Sequence, residues 1–218
     1  RSAMEVLEIW TARDAFPRRT AIDAVRASAR HKIIVVRIPL LTPQSLTPAD
    51  RYVTKQLPMA PDKIMRAWEA FNEAYRAQMD GDYDHAAELY QKSLAIHPTA
   101  EAHTFLGWTL HFQGKIEEAI EECKRAIEVD PDFGNPYNDI GAYMISLGRL
   151  DEAKSWLERA IEAPRYEPRH FPHYNLGRIY AAKGMLALAR GEFQAALRIE
   201  PEYALAQQAL DHLRRMVN

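Results

Sequence analysis

Four glycines, Gly81, Gly114, Gly148 and Gly184, recur along the chain at spacings of 33, 34 and 36 residues. Other residue types keep station with them. Five residues after each glycine stands an alanine (Ala86, Ala119, Ala153, Ala189). Seven before each stands a small residue (Ala74, Gly107, Gly141, Gly177), and twelve after each stands Ser93, Ala126, Ala160 or Ala196. Pro98, Pro131 and Pro201 close three of the four units. Similarity at this period marks an array in which each unit is one supersecondary element stacked on the next.

The spacing has a physical reading. Two antiparallel helices joined by a tight turn need a residue that tolerates positive φ, hence the recurrent glycine. Where the helix axes approach most closely, side chains on both helices must be small, which accounts for the residues seven before and five after. The small residue at twelve after lets the second helix pack on the next pair, and proline then stops that helix. A single pair cannot bury its apolar faces, whereas stacked pairs share one continuous core. The expected helix pairs cover 62–80 with 83–96, 100–113 with 116–129, 135–147 with 150–163, and 170–183 with 186–199. A final helix is expected over 202–216, with Leu205, Leu210 and Leu213 on the last pair and Asp211, Arg214 and Arg215 facing water.

On these residues the chain resembles the tetratricopeptide repeat family, whose W-x2-L-G-x2-Y…A-x3-F…P pattern runs over about 34 residues. The pattern appears as Leu106-Gly107…Ala119…Cys123…Pro131, as Tyr137-x2-Ile140-Gly141…Ala153…Leu157, and as His173-x2-Leu176-Gly177-x2-Tyr180…Ala189-x3-Phe193…Pro201. The first copy reads Ala74…Ala86-x3-Tyr90…Pro98, with Ala70 and Glu73 where the family has Trp and Leu. A competing register aligns Trp68-x2-Phe71-x3-Tyr75 with the W…L…Y pattern but needs two extra residues before Gly81. The ungapped register is preferred because turn length in this motif is nearly fixed and because Ala67, Ala70, Ala74 and Ala77 form a close-packing face. A second departure is the segment 163–172, whose Pro164, Pro168 and Pro172 lengthen the third connection. It is either a plain insertion or a displayed binding loop.

The resemblance implies an all-α fold: a right-handed α-solenoid of four helix pairs plus a C-terminal capping helix. It also implies a concave groove lined by the first helix of each pair. Positions carried over from the family place Trp68, Phe71, Tyr75, Met79, Thr104, Trp108, His111, Phe112, Asn138, Tyr174 and Arg178 on that groove. Trp68, Phe71, Tyr75 and Met79 share one helical stripe, and the first three of them read equally as core. Aromatic residues and Met on a concave surface suit a peptide anchor site. Family members that hold a terminal carboxylate do so with Lys and Asn residues. The corresponding positions carry Phe71, Tyr75, Phe105 and Asn138, so a carboxylate-tail partner is disfavoured.

Residues 1–60 differ from the array. They hold ten Lys/Arg against five Asp/Glu, whereas residues 61–218 hold 18 against 25. Such asymmetry points to two units, a mixed helix/strand extension over 1–60 and the array over 61–218. Helices are expected over 4–12 and 20–31, and the β-branched run Ile33–Ile38 reads as a strand. Three prolines between Pro39 and Pro48 favour extended chain. This extension could cap the first pair, lie in the groove, or mediate a homodimer by pairing its strand between chains.

Little else in the sequence carries chemistry. Cys123, the one cysteine, excludes a disulfide framework and a multi-cysteine zinc site. His170 and His173 have helical ligand spacing without a completing carboxylate, the glycines sit at repeat turns, and no catalytic residue, metal or cofactor is expected. The basic residues of 1–60 lack interleaved aromatics, so neither nucleic acid nor membrane is an expected partner. No apolar run approaches the ~20 residues of a membrane span. The expectation is therefore a cytoplasmic, non-catalytic adaptor or assembly scaffold with a protein or peptide partner. The alternative is a self-associating scaffold whose N-terminal segment pairs between chains or occupies its own groove.

Overall fold

The computed structural model describes residues 61–217. The helices, strand and Pro-rich segment expected over residues 1–60 lie outside the described residues, as does the boundary at residue 60. Among the described residues the helices are α1 (Pro61–Asp80), α2 (Tyr83–Ile96), α3 (Ala100–Phe112), α4 (Ile116–Val129), α5 (Asn135–Ser146), α6 (Leu150–Glu162), α7 (His170–Ala182), α8 (Leu186–Ile199) and α9 (Ala204–Val217). The architecture is the expected α-solenoid: α1/α2, α3/α4, α5/α6 and α7/α8 are antiparallel pairs, and α9 closes the end.

One turn recurs in every pair. Gly81, Gly114, Gly148 and Gly184 have φ of +86°, +81°, +74° and +72°. The residue after each glycine donates its N–H to the carbonyl five residues back: Asp82 to Ala77, Lys115 to Leu110, Arg149 to Met144 and Met185 to Tyr180, each at 2.9 Å. This bond satisfies a helix-end carbonyl and requires the left-handed conformation at the glycine. Second helices end as their prolines dictate. His97, Asp130 and Glu200, each preceding a proline, are extended with ψ of 106°, 96° and 91°.

The small residues sit where the helices of a pair touch. A Cβ added to Gly141 would lie 2.6 Å from Leu157, and one added to Gly177 would lie 2.5 Å from the Phe193 ring. Ala74 takes the equivalent place in the first pair, fully buried with Ala86 and Tyr90. Ala67 and Ala70 are buried beside it while Trp68 is 46% exposed, so the first copy follows the ungapped register. The main core runs continuously from Phe71 of α1 through the first three pairs to Leu176 and Ile179 of α7. A second cluster joins α7 and α8 to Ala206, Ala209, Leu210 and Leu213 of α9. Arg214 and Arg215 remain exposed on its outer side, as a terminal cap requires.

The Pro-rich insertion folds back on the array. The Arg165 N–H donates to Asp132 O at 3.0 Å and its carbonyl accepts from Gly134 N at 3.0 Å. Its guanidinium lies 4.5 Å from the centroid of the Phe133 ring and bonds Glu101 (3.0 Å) and Asp130. Tyr166 is buried against Gly134, where a side chain at residue 134 would collide with it. Arg169 donates to the carbonyls of Ile161 and Ala163, which lie at the end of α6. The segment is a brace against its own array, not a projecting loop.

Candidate functional site

Successive first helices touch one another: α1 meets α3, α3 meets α5, and α5 meets α7. Among the described residues successive second helices make no comparable contact. Closer spacing on one side bends a stack toward that side, so the first helices line the concave face. This is the face that the repeat positions assign to the groove.

Its N-terminal half is aromatic. Trp68 packs edge-on to Phe71 with centroids 5.2 Å apart, Phe71 packs on Phe105 at 5.4 Å, and Phe105 on Trp108 at 5.0 Å. Phe112 stacks on Tyr83 at 5.1 Å, and the His111 ring stacks on Tyr143 at 4.7 Å. Trp68 is 46% exposed, Phe112 42% and Met79 38%, while Tyr75 and Trp108 are half-buried. Phe71 is buried among Ala74, Tyr90 and Phe105, so of the two readings open for it the structure takes the core one. Thr104 is also interior: its hydroxyl donates to Ala100 O at 2.8 Å, one turn back on α3.

The C-terminal half is a hydrogen-bonded polar row. Trp108 Nε1 donates to Asp139 Oδ2 at 2.6 Å. Asn138 Nδ2 donates to Asp139 Oδ1 at 3.4 Å, and Asn175 Nδ2 donates to Asn138 Oδ1 at 3.1 Å. Arg178 Nη1 donates to Asn175 Oδ1 at 3.1 Å. The row therefore links α3, α5 and α7. Asn138, Asp139, Asn175 and Arg178 are all buried, and Tyr174 lies buried against Phe193 of α8 and Tyr203, the residue before α9. Burial pushes the Asp139 carboxyl up to about 7, opposed by the hydrogen bonds from Trp108 and Asn138. Burial likewise lowers His111 and raises the Tyr143 hydroxyl.

Repeat positions thus placed residues of both halves on one side of the array, but they did not separate the open from the interior ones. They also missed Asp139, Asn175 and Tyr143. The signal for the first two lies in the column two before the small residue of each copy, which reads Asn72, Phe105, Asp139 and Asn175. A polar residue in a column between packed helices needs a partner, and here consecutive first helices supply it. Another column carries His103 and His173, bonded through Nδ1 to Glu122 (2.7 Å) and Glu192 (2.8 Å) on the paired second helix. Cys123 is fully buried near Gly107, its thiol pushed up by burial. Among the described residues no group of three or more His, Cys, Asp or Glu could hold a metal ion, and no helix is long and apolar enough to cross a membrane.

Profiles of the tetratricopeptide repeat match residues 67–101, 100–133, 136–166 and 170–203, one for each helix pair. The chain belongs to the tetratricopeptide repeat family. The first match begins at Ala67, in line with the ungapped register. Small glutamine-rich tetratricopeptide repeat-containing protein 2 of Mycosarcoma maydis is 28% identical over 103 residues, covering 46% of this chain and 29% of that protein. Photosystem I assembly protein Ycf3 of Prochlorococcus marinus is 26% identical over 131 residues, covering 55% of this chain and 75% of that protein. Among solved structures, PilF of Pseudomonas aeruginosa superposes with a TM-score of 0.66 at 22% identity, covering 70% of this chain and 69% of that one. That last likeness is one of fold. The chain spans less than a third of the fungal relative's length.

Proposed function

We propose that the array is a non-catalytic adaptor or assembly scaffold that holds an extended peptide across the N-terminal, aromatic half of its concave face. The observation that carries this reading is the exposure of Trp68, Met79 and Phe112 on the same face as half-buried Tyr75 and Trp108. Large apolar side chains gathered on a concave surface are the usual anchors of peptide recognition, and scattered single ones are not. The buried polar row supports the arrangement from beneath, because Asp139 fixes the indole of Trp108. With Phe71, Tyr75 and Phe105 at three of the positions where related clamps place Lys or Asn, the ligand is read by apolar contact. A terminal carboxylate is not its anchor.

Selection of random peptides on the full chain, followed by titration of the enriched sequences, tests this. Binding should weaken at least tenfold in Phe112→Ala and in Trp68→Ala, the loss expected of an interface anchor worth about 1.4 kcal/mol or more. Enriched peptides whose affinity is unchanged in both variants would place the binding surface elsewhere.

A further inference from the structure

Both ends of a solenoid must be closed, and the first pair shows how this one manages its N-terminal end. The outward face of α1 carries Arg66, Glu69, Glu73, Arg76 and Asp80, all exposed. That face is already wet and asks for no cap. The exposed apolar residues of α1 lie elsewhere. Ile64, Trp68 and Met79 lie with Tyr75 on one helical stripe, the one facing the groove, and Met65 borders it. Phe112 at the end of α3 extends this apolar edge. What remains uncovered at the start of the array is the edge of the groove.

The chain supplies a segment suited to that edge. Residues 33–57 lead into Pro61, the first residue of α1, three residues before Ile64. Residues 39–60 can reach about 70 Å when extended, well beyond the ~30 Å length of α1 and the roughly 10 Å from α1 to α3. Their prolines (Pro39, Pro43, Pro48, Pro58) keep this stretch from regular helix, and Leu40, Leu41, Leu46, Val53 and Leu57 offer apolar side chains between them. Residues 1–60 carry an excess of positive charge and residues 61–218 an excess of negative charge, a modest attraction over the ~8 Å screening length of physiological salt. Tethering holds the segment at an effective concentration on the order of mM, so even weak contacts keep it in place.

We propose that residues 33–57 lie extended on the groove edge of their own chain, over Ile64, Trp68, Met79 and Phe112, and are the occupant that an outside peptide displaces. This rests on the groove reading above and adds its resident ligand. The test is photo-crosslinking in the full chain with Val53→benzoylphenylalanine, mapped by mass spectrometry on an equal mixture of isotopically light and heavy chains. The expected products are links from residue 53 to peptides of α1 and α3, each wholly light or wholly heavy. Their yield should fall several-fold in Phe112→Ala, which removes a 42% exposed ring at the end of α3 and should retain the wild-type helical circular dichroism. Links between light and heavy chains would make the occupant a second copy and overturn the proposal. So would links confined to α2, the result expected of an end cap, or an absence of links from the folded chain. A second arm replaces residues 33–57 in the full chain by Gly/Ser of equal length. Selected peptides should then bind about tenfold tighter or more, since a tethered competitor has gone. Unchanged affinity of peptides that still depend on Phe112 would sink the internal ligand and leave the groove reading standing. Loss of that dependence would sink both.

Discussion

Two before the small residue of each repeat, the second copy has Phe105 while the third and fourth have Asp139 and Asn175. The backbone is the same at all three. Around Phe105 the first helices meet through rings: Phe71 and Trp108 lie within 5.4 Å of it, and the outermost aromatic side chains stay open to solvent. Around Asp139 and Asn175 they meet through hydrogen bonds, and every polar side chain of the row is buried. Apolar contact is non-directional and tolerates an exposed surplus that a ligand can use. Buried hydrogen bonds demand defined partners and fix neighbouring helices in register. One fold thus yields an aromatic, partly open half and a hydrogen-bonded, registered half by changing one column of side chains.

The largest effect expected on this contrast comes from Phe105→Ala. It removes a buried ring that touches Phe71, Tyr75, Tyr90 and Trp108, and should lower unfolding free energy by about 3–5 kcal/mol in denaturant titration. A loss under 1 kcal/mol would mean the aromatic half is not a packed unit. Next, Asp139→Ala leaves the Trp108 N–H and Asn138 without their acceptor and should cost about 2–3 kcal/mol. The Trp108 emission should shift as its indole loses that bond.

The pH dependence sharpens the same point. Asp139 is held up to about 7, whereas an unfolded aspartate ionises near 4. Between those values the native chain keeps a proton that the unfolded chain has lost, so this group's contribution to stability falls as pH rises from 4 to 7 and is flat above. His170 is held down to about 4 from 6.5 by burial, and its contribution falls as pH drops through that window. The two slopes oppose each other in wild type. Asp139→Asn removes one, so its stability relative to wild type should rise by about 3 kcal/mol between pH 4.5 and 7.5 in urea titrations. Parallel curves for the two proteins would show that Asp139 does not titrate there. The smallest stability effect is expected from Phe112→Ala, about 1 kcal/mol, because the ring is 42% exposed and packs on the rings of Tyr83 and His111; on the proposed groove reading its effect on ligand binding is among the largest.

The fold was legible in the sequence because its determinants are local and repeated. Gly81, Gly114, Gly148 and Gly184 announce the turns, and all four adopt the positive φ that selected glycine. Ala86, Ala119, Ala153 and Ala189 announce helix contacts and are all fully buried. The expected helix ends hold to within two residues, including the last helix, which begins at Ala204 rather than 202. The site was legible only as a face. Repeat position says toward which side a residue points, but exposure depends on the neighbouring helix. That is why Thr104, Asn138, Tyr174 and Arg178 are interior while Trp68 and Phe112 are open. Asp139 escaped notice because a single acidic residue within an apolar helix has no local signature; its meaning arises from Trp108 on the preceding first helix. The insertion at 163–172 could not be placed from its prolines alone, since the residues that hold it, Glu101 and Asp130, are distant in sequence.

In a solenoid each repeat hinges on its neighbour, so the whole behaves as a short spring whose pitch is set joint by joint. Arg165 interferes with that freedom. It leaves the third copy, reaches back to Glu101 at the start of α3 and to Asp130 at the end of α4, and so spans one joint like a diagonal strut across a frame. The joint between the second and third copies is thereby clamped near the start of α3 and the end of α4, and the polar row clamps the same joint from within. The joint between the first and second copies carries neither restraint among these contacts. On the groove reading proposed above, the proposed peptide site and the joint without these restraints share the aromatic end of the molecule.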